Sequence, residues 1–473
     1  MRRSHEARRK VLRGLGALGL AGGAAALLLP YRKGGWFVRE VCGEALSRAA
    51  LEESLQLGTE FLLAQQKPAG NFVYEYDWVA RQERPGDSQV RQAGAAWGLA
   101  LIYLYRPDPK VAAALERAFG FFAKHARKGP KGELFPGYPR EPRGSLGTLA
   151  LLTLAHVDFV RAAKGRLPDE RLAPHRQRLD ALAAALLAIR TPEGLFHSEF
   201  DPATGAPAGD PNPYGDGEAL LALAKLARYL GRDDLKPALA AGAEAALTRH
   251  VRRALEKDRD SDETKGFYQW GSMTFYELAT GPWPEFARYG DEVLSLADWM
   301  LDVHHVLEKP RNTGYAFEGI LHALDLARRR GDKARADRYR CVAEQGLERL
   351  TGWQAGGPLP NGYVRDHGPP DPKGRGGVQN ERADPVLRID VTQHQMHAVC
   401  LALRWLYPPP GGEPPVPPPP PGGPGEAAAP APGGQGEAAA PAPGGQGAPG
   451  AGSSAAPGAG ASSGGRPPAG GGR

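Results

Sequence analysis

The last third of the chain holds the side chains best suited to acid–base chemistry. Tyr315 and Glu318 are three residues apart, as are His394 and His397, a spacing that sets each pair on one helix face. Glu318 sits in an otherwise apolar stretch, where a carboxylate is costly to bury without a partner. Desolvation is expected to raise its pKa, which suits a general acid. Asp390 precedes the histidine pair, with Gln393 and Gln395 flanking His394. Upstream, Tyr214-Gly-Asp216-Gly-Glu218 offers two carboxylates. Two apart on a helix they point to different sides, so an acid–base partner has to come from another element. The catalytic candidates are therefore Asp216, Glu218, Glu318, Asp390, His394 and His397, with Glu277 and Asp77 behind them.

Aromatic rings beside amide and acid groups are what stacking on sugar faces and bonding to hydroxyls require. Such groupings are Tyr74, Glu75, Asp77 and Trp78, followed by Arg91, then Tyr214, then Tyr268-Gln269-Trp270, then Tyr315. Gln393 joins this substrate-binding set. Gln379 and Asn380, in the long final loop, are candidates for a lid. Each has a structural alternative: Asp216 as a helix cap, Glu218 as a dipole partner, the rings as packing between elements. No Cys/His/Asp set has metal-ligand spacing and the two histidines lack a third ligand, so neither metal nor cofactor is expected.

The elements that must position these groups follow from a recurring phrase: a helix end, a glycine or asparagine turn, an aromatic residue. Its copies begin at Gly70, Gly132, Gly194, Gly266, Gly314 and Gly362, spaced 62, 62, 72, 48 and 48 residues apart. Six phrases imply six helical hairpins, the predicted helices running near 44–66 and 92–105, 110–127 and 145–163, 170–190 and 216–230, 234–258 and 272–280, 289–307 and 313–330, 333–353 and 392–407. First helices are amphipathic; second helices, such as Leu146-Gly-Thr-Leu-Ala-Leu-Leu, are apolar nearly all round and form an inner wall. A helix pair cannot bury both faces alone, so six pairs close into an all-α (α/α)₆ toroid. Asp216, Ser145, Ser272, Thr313 and Thr392 are the expected N-caps of inner helices, whose entry loops open at one mouth.

Over residues 45–408 this pattern resembles the six-hairpin glycosidase superfamily of toroids. The resemblance implies a carbohydrate substrate and a hydrolase using two carboxylates, or a lyase or epimerase using His394, His397, Tyr315 and Arg91. A non-catalytic envelope protein that binds glycans is a third reading. Leu63-Ala-Gln-Gln66 with Gly70-Asn-Phe72 is also similar to terpenoid-cyclase repeats, but the nearest acid motif, Asp260-Ser-Asp-Glu263, reads as a solvated loop.

The net charge of +6 is a property of the leader: residues 1–33 carry eight Lys or Arg against Glu6, leaving −1 for residues 34–473. Nucleic acid is therefore not an expected partner. Residues 1–13 are basic and 14–30 apolar, the pattern of an export signal or membrane anchor with the body outside the cytoplasm. Arg8-Arg-Lys-Val-Leu-Arg13 resembles a twin-arginine signal. The expected domains are a leader (1–33), a toroid (34–408) and a disordered Pro/Gly/Ala-rich tail (409–473). Cys42, Cys341 and Cys400 have no motif spacing; Cys341 and Cys400 lie in apolar helical contexts and read as buried free thiols, with a disulfide that sequence does not place open to an oxidising compartment. Replacing Arg8 and Arg9 by Lys is expected to retain the protein in the cytoplasm, as cell fractionation would report; normal export of that variant removes the twin-arginine reading.

Overall fold

The computed structural model describes residues 42–409; the leader and, apart from Pro409, the tail lie outside the described residues. Twelve main helices alternate between two rings. The inner set is α2 (Gln89–Tyr105), α4 (Leu146–Ala163), α6 (Pro213–Leu230), α9 (Asp262–Ala279), α11 (Gly314–Arg329) and α14 (Ile389–Trp405). The outer set is α1 (Arg48–Gln65), α3 (Pro109–His125), α5 (Asp169–Ala188), α7 (Lys236–Ala246), α10 (Tyr289–Asp302) and α12 (Lys333–Thr351). A π-turn (Leu247–Arg252) extends α7 into the short α8 (Arg253–Lys257), and a one-turn α13 (Gly362–Asp366) interrupts the final loop. Each inner helix packs on the next, and α14 packs on α2, so the ring is closed. The all-α toroid expected from the repeats is the observed fold.

Composition explains the layering. Every residue of α4 except Arg161 is buried, and a helix with no polar stripe has to be covered on all sides. Outer α3 buries Val111, Ala114, Leu115, Ala118 and Phe122 and leaves its charges to solvent. Short links such as 106–108 and 330–332 return the chain from inner to outer helix, so the long entry loops gather at the N-terminal ends of the inner helices. Across that mouth Glu75–Asp77 pairs with Val386–Arg388 in antiparallel register, tying the first loop to the last.

The repeated phrase is less uniform than its spacing suggests. Gly70, Gly132 and Gly194 are true turns with φ of +103°, +89° and +101°. The following aromatic is tied to the next inner helix: Phe72 N–H donates to Gln92 Oε1 at 2.7 Å and Phe196 N–H to Asp216 Oδ1 at 2.8 Å. Gly266, by contrast, lies inside α9, which starts ten residues before the expected Ser272. Ser261 is its N-cap, accepting from Glu263 and Thr264 N–H, so Asp262 and Glu263 belong to the helix. A Cβ on Gly266 would approach Pro213 and Tyr214 at 3.0 Å; there the glycine permits close helix packing and makes no turn. The other caps shift as well. Asn212 caps α6, placing Asp216 inside it, and α14 begins at Ile389, with Thr392 Oγ1 bonded to Arg388 O and Val378 N–H. Ser145 and Thr313 do occupy the N-cap positions of α4 and α11.

Cys42 and Cys341 form a disulfide that joins the start of the described chain to α12, 299 residues away, while Cys400 is a buried thiol. Reading Cys341 as a free thiol is thereby corrected: its partner is remote in sequence and only ring closure brings it near. Such a long closed loop removes much entropy from the unfolded chain. Replacing both Cys42 and Cys341 by Ser is expected to cost about 2–4 kcal/mol and to lower the thermal midpoint by about 3–5 °C, readable by calorimetry, with no change in helix content.

Candidate active site

Glu318, in the second turn of α11, is fully buried near the ring axis. Its neighbours on both sides answer its charge. From α9, Gln269 Nε2 donates to Oε2 at 2.5 Å; from α14, His394 Nδ1 lies 3.0 Å from Oε1. His397 Nδ1 is 3.4 Å from the same oxygen, close enough for attraction but too poorly aligned for a hydrogen bond. Burial opposes the carboxylate's charge, yet the His397 and His394 imidazoles outweigh it and hold its pKa down at about 2. The expected upward shift is thus reversed: the histidines arrive from a helix some 76 positions away in sequence, which local spacing cannot reveal. Glu318 is an ionised acceptor and no general acid.

His394 Nδ1 therefore faces a carboxylate oxygen at 3.0 Å, with the Gln269 Nε2 amide also 3.0 Å from it, while Nε2 is turned away from both. Nε2 has no hydrogen-bond partner among the described residues, and the side chain is 20% exposed. Gln393 Nε2 lies 3.4 Å from the same ring, and its aliphatic part packs where Gly98 lacks a side chain. Beneath sit two indoles. Trp270 meets His394 edge-on at a ring separation of 6.1 Å, and Trp97 lies 5.5 Å from Trp270 and 5.3 Å from His397. Trp97 is held by its Nε1–H donating to buried Asp158, which also binds Lys225 and Arg161 at 2.6 Å each. Trp97 and Asp158 escaped the sequence reading because nothing in an apolar helix run distinguishes a floor residue from ordinary core.

Nearer the mouth, Asp390 is gripped by Arg388 (2.6 and 3.0 Å) and Arg91 (3.0 Å). Burial works against its charge, but these guanidiniums keep its pKa below the usual range. Tyr74 lies under Arg388, whose guanidinium is 5.4 Å from the ring centre. On α6, which faces α14 across the ring, Glu218 is buried with no hydrogen-bond or ion-pair partner among the described residues. Desolvation pushes its pKa up to about 8, with Arg91 only partly countering. Glu218, not Glu318, is the carboxyl kept protonated at neutral pH. At the rim, Lys265 stands 5.9 Å from the Tyr214 ring and 5.2 Å from the Tyr315 ring.

Several expected site residues are placed elsewhere. Asp216 is fully occupied by Phe196 N–H and by His250 Nε2 at 2.8 Å, a structural clamp fed by the π-turn. Glu277 bonds Arg228 at 2.7 Å and the Tyr229 hydroxyl at 2.9 Å near the far end of α6. Tyr268 is buried under Gly319 with its hydroxyl near Ala316 O, so no ring face is open to a sugar. Asp77 is buried and taken by Arg84 and Ala80 N–H, and Trp78 packs edge-on to Tyr363 and His367. Glu75 lies in the short strand opposite Arg388, half-buried. Gln379 is buried and donates to Asp384 O, while Asn380 O accepts from Asn312 N–H. The final loop is thereby stitched to the body, and a freely closing lid is not what these residues build.

Neither a family model nor a curated protein matches the chain. Solved structures do match. A sugar epimerase from a ruminal bacterium superposes with a TM-score of 0.53 at 11% identity, over 76% of this chain and 99% of that one. A D-mannose isomerase gives 0.53 at 12%, over 75% and 97%. An α-1,6-mannanase of a Salegentibacter species, as an inactive variant with α-1,6-mannotetrose, gives 0.50 at 10%, over 75% and 98%. At such identities the shared property is the fold, the six-hairpin (α/α)₆ toroid.

The two buried carboxyls should have opposite effects on stability as pH changes. Glu218, with its pKa raised from 4.5 to about 8, contributes stability below 4.5 that is lost as pH rises through 8. Glu318, lowered from 4.5 to about 2, contributes stability above 4.5 that is lost as pH falls through 2. Glu218→Gln is therefore expected to raise the thermal midpoint at pH 8 while matching the wild type at pH 4.5. Glu318→Gln should lower it at pH 7 and flatten the acid limb. Thermal melts across pH 2–9 check both signs.

Proposed function

We propose that the protein is an exported carbohydrate-active enzyme that moves a proton at the carbon next to a sugar carbonyl, the chemistry of an epimerase or aldose isomerase. The observation that carries this reading is the His394–Glu318 dyad: a partly exposed imidazole whose Nδ1 lies 3.0 Å from a buried carboxylate and whose Nε2 has no hydrogen-bond partner among the described residues. Because a toroid hosts hydrolases and isomerases alike, the fold leaves the reaction open and the side chains must decide it. His394 Nε2 takes the proton from the carbon beside an open-chain carbonyl, and the electron pair moves onto the carbonyl oxygen. Glu318 stabilises the imidazolium that forms and holds the ring in place. Returning the proton to the opposite face gives the epimer; returning it to the neighbouring carbon gives the isomer. Glu218, protonated on the facing helix, is a suitable donor, and Arg91 and Arg388 supply positive charge near the developing oxyanion.

The two-carboxylate hydrolysis expected from the sequence remains the second reading, favoured by one observation: Glu218 is protonated where a general acid must be. Its weakness is the partner. Asp390 has both oxygens engaged by Arg388 and one of them by Arg91 as well, which makes it a poor base or nucleophile. Export is supported by the leader's basic–apolar order and by the Cys42–Cys341 disulfide, since such bonds persist in oxidising compartments.

Incubation with a panel of aldoses and reducing disaccharides in deuterium oxide separates these readings. Wild-type protein is expected to exchange the C2 hydrogen, seen by NMR, and His394→Gln to slow exchange by about 10²–10⁴-fold. Glu318→Gln should slow it as well, since an amide can hold the ring but cannot balance the imidazolium charge. Release of new reducing ends without deuterium at C2, unaffected by His394→Gln but abolished by Glu218→Gln, would replace proton transfer with hydrolysis.

A further inference from the structure

Beyond the site at the mouth, the ring has a second opening. A cavity of about 950 Å³ lies at the C-terminal ends of α2, α4, α6 and α14, the end opposite the entry loops. Its volume is at the upper end of the range for small-molecule sites, about 300–1,000 Å³. Leu55, Leu101, Leu104, Val160, Leu230 and Leu403 make one wall apolar. The charged part of the lining is basic: seven side chains are Arg or Lys and a single one, Glu52, is acidic.

We infer that this cavity is a second binding site, for an amphipathic anion: a phosphate, sulfate or carboxylate group carried on an apolar body. The charge balance decides the sign of the ligand. Arg48 is paired with Glu52 at 2.8 Å, Arg161 with Asp158 at 2.6 Å and Arg176 with Asp169 at 3.0 Å. Arg106 bonds only to the neutral Gln56 amide and Arg166 to the Ala162 carbonyl, while Lys164 has no acidic partner among the described residues. Arg404 adds a guanidinium to the same wall. The four helix C-termini act against these charges with about half a negative charge each, roughly two in all. Arg106, Lys164 and Arg166 alone exceed that, so the rim stays positive and an anion is the favoured ligand. Arg106, Lys164 and Arg166 are at the exposed edge and the leucines lie deeper, so the ligand's charged end would sit at the rim with its apolar body inside.

The chain's own ends are poor occupants although the cavity wall includes Pro409. Residues 1–33 carry a net +7 and are repelled, and the tail offers only Glu413, Glu426 and Glu437, each more than ten residues from the next. The inner end of the cavity reaches His397, which also approaches Glu318. One imidazole thus lines the cavity and also faces the buried carboxylate.

Calorimetric titration of the full-length protein with octyl phosphate, inorganic phosphate and octyl glucoside tests the assignment. Octyl phosphate is expected to bind, with inorganic phosphate and the neutral glycoside each weaker by about tenfold or more, since each supplies half of the recognition. A Lys164→Gln, Arg166→Gln double variant, altered only at exposed side chains, should weaken octyl phosphate about tenfold, while Arg91→Gln at the mouth leaves it unchanged. The inference fails if octyl phosphate does not bind, if the glycoside or inorganic phosphate binds as well as it does, or if the double variant binds undiminished. It fails equally if replacing Glu413, Glu426 and Glu437 by Gln strengthens binding tenfold, which would give the cavity to the tail.

Discussion

A negative charge with no access to water lies near the axis of this molecule, and the arrangement around it follows from keeping it there. An unpaired buried carboxylate costs several kcal/mol, enough to exhaust much of a domain's stability. Glu318 escapes that cost because the two inner helices beside α11 converge on it: α9 brings the Gln269 amide and α14 brings two imidazoles. None of these partners is a sequence neighbour. They meet only because α11 stands between α9 and α14 in a closed ring, so the electrostatics of the dyad and the closure of the toroid depend on one another.

From that level the ring is organised along its axis. Toward the mouth lie side chains that are at least partly exposed: His394, Arg91, Tyr214 and Tyr315. Below, the Trp97–Trp270 pair and the Asp158–Lys225–Arg161 cluster form a fixed floor. A floor built from a fully paired acid holds Trp97 in one orientation, and Trp97 in turn limits how His397 can turn. Below the floor the basic cavity opens to the other side. Rigidity is therefore concentrated behind His394, on the side away from the mouth.

The two buried carboxyls illustrate how environment assigns chemical roles. Glu218 and Glu318 are the same residue type, in the first two turns of inner helices, and both are buried. One has no partner and holds its proton; the other has two imidazoles and gives it up. Asp216, only two residues before Glu218, turns to the outer ring instead and clamps a loop through His250 and Phe196. A helix rotates about 100° per residue, so adjacent acids serve different layers.

Much of the fold was legible in the chain itself. Glycine–aromatic phrases at a quasi-regular spacing and the contrast between amphipathic and wholly apolar helices were enough for six hairpins in two rings, because burial and helical period are local properties written in residue order. The candidate residues Glu318 and His394 were identified the same way, as polar groups where an inner helix has no other reason to carry them, and Gln269 as an amide beside aromatic rings in an expected entry loop. What sequence could not supply were facts that depend on ring closure. The direction of the Glu318 pKa, the loneliness of Glu218, the grip of Arg388 and Arg91 on Asp390 and the Cys42–Cys341 bond all require partners from remote hairpins. Helix α9 shows the same limit: Gly266 reads as a turn until Pro213 and Tyr214 are seen against it. Residue order determines which side chains a helix can present, while the charge state and purpose of each depend on what the tertiary structure sets opposite it.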